Sequence, residues 1–294
     1  MGAVIGASFS GHFADMFGRR NLLIVSALIF LIGTLGSALA PNIPVMIISR
    51  VLVGVAIGVA SFVAPLYISE ISPPQFRGML VSCNQLMVTV GILLAYIVDT
   101  LFAEHGNWRA MFAVGMVPAA ILLIGMICLP KSPRWLVVKG RDKEARATLK
   151  KIRKESAVPK ELKEIKASIP EKVSWKVLLE QWLWPAFMIG IGLAFFQQFT
   201  GINTIIYYAP TIFQMAGFKS ATVAIMATMG VGVVNVVMTI VALPLLDILG
   251  RRPLLIIGMS LMALSLLALS LTFYMGGSSD ALRWSSMISM LLFI

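Results

Sequence analysis

Five stretches of this chain, 22–40, 79–98, 110–129, 221–246 and 253–275, contain no Asp, Glu, Lys or Arg. Each is near or above the roughly 20 residues that a helix needs to cross a bilayer core of about 30 Å. A sixth block, 45–69, carries a single charge, Arg50, and 181–218 runs uncharged for 38 residues with prolines and glycines inside it. A bilayer core offers no water to satisfy an open backbone, so apolar blocks of this length read as helices. The expected fold class is all-α, a polytopic membrane protein. Composition agrees, with 13% charged residues and a mean hydropathy of +0.91, where a soluble domain has about a quarter of its residues charged.

A net charge of +11 on a soluble domain would suggest a nucleic-acid partner. Here 15 of the 24 Lys and Arg fall in 131–176, beside six Asp and Glu. With that segment cytoplasmic, alternating spans also place Arg19, Arg20, Arg77, Arg251 and Arg252 inside, and only Arg109, Lys219 and Arg283 outside. This asymmetry is the positive-inside rule. Orientation in an inner membrane, lipid on all sides, explains the basicity without nucleic acid.

The expected spans are 1–17, 22–40, 45–69, 79–101, 109–129, 183–216, 221–248 and 253–275, with the start of another at 284–294: about eight full helices and part of a ninth. The first of them lacks a basic region ahead of its apolar run and is followed by further spans, unlike a signal peptide. Three parts follow: an N-terminal half, 1–129; a cytoplasmic loop, 130–182, with short surface helices expected at 141–154 and 160–168; and a C-terminal half, 183–294. Cys83 and Cys128 both lie in spans and suggest neither a disulfide nor a thiolate metal site.

An internal repeat organises the halves. Asp15-Met16-Phe17-Gly18-Arg19-Arg20 recurs 232 residues later as Asp247-Ile248-Leu249-Gly250-Arg251-Arg252. Both copies end an inward-running span and precede an outward one, which indicates two parallel pseudo-repeats. Gly permits a tight turn and the arginines lie in the headgroup zone, where they can pair with an acid at a helix end.

The chain resembles the sugar porter family of the major facilitator superfamily along essentially its whole length. The residues that carry the resemblance are Arg50, Gly54, Gly58, Tyr67, Glu70, Pro73, Arg77 and Gly78; Pro130-Lys131-Ser132-Pro133-Arg134-Trp135-Leu136; and Gln197-Gln198-Phe199-Thr200-Gly201-Ile202-Asn203 with Tyr207, Tyr208 and Pro210. Lys131 departs from the family pattern, which has Glu there. The resemblance implies a twelve-helix major facilitator fold, truncated here, in which 1–17 matches the second helix and the first, eleventh and twelfth fall outside the sequence. The repeated motif leads to the expectation of a cytoplasmic gate built from Asp15, Arg19, Arg20, Glu70, Arg77, Arg134, Asp247, Arg251 and Arg252, the alternative being that Gly-Arg-Arg is only a topology anchor. Arg50 matches the arginine that tunes an acid in proton-coupled members.

The residues point the same way independently. A neutral, hydroxyl-rich solute needs uncharged groups that both donate and accept hydrogen bonds, which Asn and Gln provide. Amides are costly in apolar spans, yet Gln85, Gln197, Gln198, Asn203 and Asn235 all lie in uncharged stretches. On one regular helix Gln197, Gln198 and Asn203 would point to different sides; an interruption at Gly201 would gather them. The resemblance implies that these amides contact sugar. The alternative is packing glue between helices. Gly54 and Gly58 form a small-xxx-small packing face. No nucleophile–base pair, nucleotide motif or metal-ligand spacing is evident, so an enzyme, a cofactor, a metal and an ATP-driven pump are not expected. The expected function is alternating-access transport of a monosaccharide, hexose or pentose, with a proton, by a monomer. The alternatives are a uniporter, a cyclitol or other polyol carrier, and a transporter-like sugar sensor.

Overall fold

In a computed structural model, residues 1–103, 106–168, 182–218, 220–275 and 280–294 are described, and no strand occurs among them. The helices are α1 (Gly2–Phe17), α2 (Arg19–Ala38), α3 (Ile43–Ile71), α4 (Arg77–Ala103), α5 (Trp108–Val114), α6 (Met116–Cys128), α7 (Pro133–Val138), α8 (Asp142–Ile152), α9 (Val158–Ala167), α10 (Trp184–Phe199), α11 (Ile202–Met215), α12 (Ala221–Ile248), α13 (Arg251–Met275) and α14 (Asp280–Phe293). Among the described residues seven helices or helix pairs are long and apolar enough to span a membrane, α5–α6 and α10–α11 each counting as one. The first helix, 16 residues long, falls just short of that length. Along the spans large apolar side chains stay exposed, among them Ile32 at 64% and Ile121 at 66%. Such faces suit lipid tails.

The chain forms two compact units, Met1–Asn84 with Asn107–Lys172, and Gln85–Gly106 with Val173–Ile294. The grouping places most of α4 with the second unit, whereas the sequence reading keeps all of 1–129 in one half.

In the first unit, glycines set the packing. A Cβ on Gly2 would come 2.2 Å from the Val51 carbonyl oxygen, one on Gly6 2.2 Å from that of Val55, and one on Gly58 2.2 Å from that of Ala3. The backbones of α1 and α3 therefore touch, and Gly54 and Gly58 form the packing face that the sequence suggests. Deeper along the seam, Ala14, Leu22, Leu23, Val59, Val63, Tyr67 and Met126 make one core. In the second unit Ile205, Ala209, Phe213, Ala224, Val231, Met290 and Phe293 make another.

The helix ends follow from local chemistry. Asn42, Asn107, Ser132 and Ser220 cap the starts of α3, α5, α7 and α12, each side chain accepting from a backbone N–H three residues on. The break between α5 and α6 sits at Gly115, where Pro118 removes the N–H that would bond the Val114 carbonyl. Loop helix α8 falls inside its expected stretch and α9 begins two residues ahead of its own, with Pro159 in the first turn; the short α7 was not expected from composition.

Candidate functional site

Gly201 has φ 78 and ψ 14, a left-handed conformation that stops α10 and starts α11 in a new direction. The interruption expected from the sequence is therefore real. Across it the Asn203 amide donates to Gln198 Oε1 at 2.8 Å. Both side chains are exposed and retain further donors and acceptors. The structure thus brings together two of the five candidate amides. Gln85, Gln197 and Asn235 belong to the same unit; among the described residues their side chains make no hydrogen bond to that pair.

Arg50 lies two turns into α3 with its guanidinium 4.6 Å from the centre of the Phe112 ring. A cation over an aromatic face is attracted by the ring quadrupole. Nothing in the local pattern around Arg50 points to this partner, 62 positions away.

The gate candidates divide sharply. In the first unit Arg19 pairs with Glu70 at 3.1 Å and with Asp15 at 2.9 Å, and it donates to the Ala14 carbonyl at 3.1 Å. The Arg19 and Glu70 side chains are only 12% and 4% exposed. Ser132 donates to the other Glu70 oxygen at 2.5 Å. Arg20 donates to the carbonyls of Met126 and Ile127 at 2.8 and 2.6 Å, capping the last turn of α6. Trp135, inside the Pro130–Leu136 motif but given no role from sequence, donates its indole N–H to the Asp15 carbonyl at 3.0 Å. Arg153 bonds the Ile71 carbonyl at 2.8 Å and pairs with Glu161 at 2.9 Å; no motif marked it. Arginine or tryptophan side chains thereby close the C-terminal ends of α1, α3 and α6.

Arg77, Arg134, Arg251 and Arg252 are exposed. Among the described residues they make no side-chain hydrogen bond or ion pair. The Asp247 side chain lies outside the described residues, as does Lys219. The second repeat copy keeps the turn: Gly250 has φ 79, as Gly18 has φ 87.

Helices without a strand among the described residues, a turn repeated at Gly18 and Gly250, and a broken, amide-bearing span together have the build of a major facilitator fold. The comparisons make this specific. A family model described as "Sugar (and other) transporter" matches residues 1–294. The galactose-proton symporter of Escherichia coli K12 is 43% identical over 296 residues, covering 100% of this chain and 64% of that protein. The arabinose-proton symporter of the same strain is 42% identical, covering 97% of this chain and 62% of the relative. A partially occluded inward-open structure of the E. coli xylose transporter XylE superimposes with a TM-score of 0.86 at 32% identity, covering 99% of this chain and 70% of that one. The chain belongs to the sugar transporter family of the major facilitator superfamily. It is a multi-pass inner-membrane protein, and it spans 64% of the symporter's length.

Proposed function

We propose that this chain carries a monosaccharide, a hexose or pentose, together with a proton across the inner membrane by alternating access. The observation that supports this most is the Gln198–Asn203 amide pair held across the break at Gly201. An uncharged donor–acceptor pair at a helix interruption suits the hydroxyls of a neutral solute, and it costs no buried charge. The names of the relatives, symporters of galactose and arabinose with a proton, favour the same substrate class and coupling. Gln85, Gln197 and Asn235 complete the site in this reading, and Arg50 tunes the coupling proton. Asp15, Arg19, Arg20, Glu70, Arg77, Arg134, Asp247, Arg251 and Arg252 form the cytoplasmic gate in this reading, their contacts holding the inner side shut and breaking when it opens; those of Asp15, Arg19, Arg20 and Glu70 are the ones made here. The carrier works as a monomer and performs no covalent chemistry.

Counterflow of labelled sugars with the intact protein in liposomes tests the substrate. Replacing Gln198 by Ala should raise the half-saturating sugar concentration about tenfold or more, the loss of one to two hydrogen bonds. An unchanged half-saturation would exclude Gln198 from the site.

A further inference from the structure

Pro210 lies inside α11. A proline has no N–H, so the carbonyl four residues earlier, that of Ile206, loses its intrahelical donor. In a bilayer such a carbonyl has no water to turn to. The hydroxyl of Tyr96, reaching from α4, donates to it at 2.8 Å. Tyr96 is 8% exposed, and its ring lies against Gly232 of α12. A Cβ on that glycine would come 2.8 Å from Tyr96 Cδ2 and 3.2 Å from Leu93 Cδ1. Three positions far apart in sequence thus act together: Pro210 frees an acceptor, Tyr96 fills it, and Gly232 leaves room for the ring.

We infer that Tyr96 is a positioning residue, a catch that caps the Ile206 carbonyl and so fixes α11 beside the amide pair. Ile206 lies one turn beyond Asn203, so holding that carbonyl holds the half-helix that presents Asn203 to Gln198. Gly201, with φ 78 and open space where a Cβ would be, is the hinge about which α11 turns when the catch lets go. Phenylalanine would fill the same space; only the hydroxyl reaches the carbonyl. The inference deepens the transport reading, because it takes α11 to be the moving half of the substrate-bearing span. Its test uses no substrate, so failure of one leaves the other standing.

The measurement is hydrogen–deuterium exchange of segment 202–215 in the intact protein in lipid nanodiscs. Tyr96→Phe should speed exchange there about tenfold, while α3 keeps its native rate. Pro210→Ala returns an N–H to the Ile206 carbonyl, so in that background Tyr96→Phe should change the rate less than about twofold. Gly232→Ala, which displaces the ring, should reproduce Tyr96→Phe. Native exchange in Tyr96→Phe or in Gly232→Ala overturns the inference. So does an equal acceleration with and without Pro210, which would make the ring's packing responsible.

Discussion

Around Gly18 each arginine reaches a helix end, Arg19 the Ala14 carbonyl and Arg20 those of Met126 and Ile127. Around Gly250 the arginines are exposed and, among the described residues, make no side-chain bond. Both glycines hold positive φ, so the six-residue repeat encodes the turn in each unit. It does not encode the network. That comes from Glu70, Ser132 and Trp135, delivered by α3 and by the start of the basic loop. A repeat motif is thus a socket, and its energetics depend on what the rest of the unit plugs into it.

The largest test of this contrast removes Glu70. Glu70→Ala takes the buried acid from Arg19, which keeps only the exposed Asp15 carboxylate and the Ala14 carbonyl, and leaves Ser132 without its acceptor. Breaking a buried pair from one side costs about 3–5 kcal/mol, and a denaturing-detergent titration should show a loss of that size. A loss under about 1 kcal/mol would put the two inner ends on equal terms and break the comparison. Next come the glycines. Gly18, at φ 87 and ψ 149, occupies a region essentially reserved for glycine, and an added Cβ would meet the Trp135 ring at 3.1 Å. Gly250 has open space around it. Gly18→Ala should cost about 2–3 kcal/mol and Gly250→Ala about 1 kcal/mol in the same titration. Equal costs would mean that backbone strain alone matters and the tryptophan yields. The smallest effect belongs to Arg251→Ala, which should stay within about 0.5 kcal/mol of the parent, as exposed substitutions do; a larger drop would reveal a partner for the second copy.

Much of this architecture was legible because its causes are local. Uncharged runs give spans, Gly18 and Gly250 give turns, and amides on both sides of Gly201 demand a break if they are to meet. The Gln198–Asn203 contact follows from that break. What could not be read depends on chain segments meeting from afar. Nothing near Arg50 announces Phe112, and nothing near Asp15 announces the Trp135 indole. Tyr96 is an intermediate case: Pro210 declares in the sequence that the Ile206 carbonyl needs a donor, but only the fold says which helix supplies it. The grouping of most of α4 with the second unit was illegible for the same reason, since sequence order places that helix before the basic loop.

The split span carries a further consequence, in how the chain is made. Residues 184–215 have the lowest hydropathy of the seven spans among the described residues, 1.3 against 2.0 to 2.4 for the others. Segments are sorted into lipid as they emerge during synthesis largely by this quantity, and two helix ends exposed at depth weigh further against entry. The span that carries the Gln198–Asn203 amide pair is therefore the one with the weakest drive of its own into lipid. If that difference governs its entry, insertion of 184–215 should depend on the spans made before it more than insertion of any other span does.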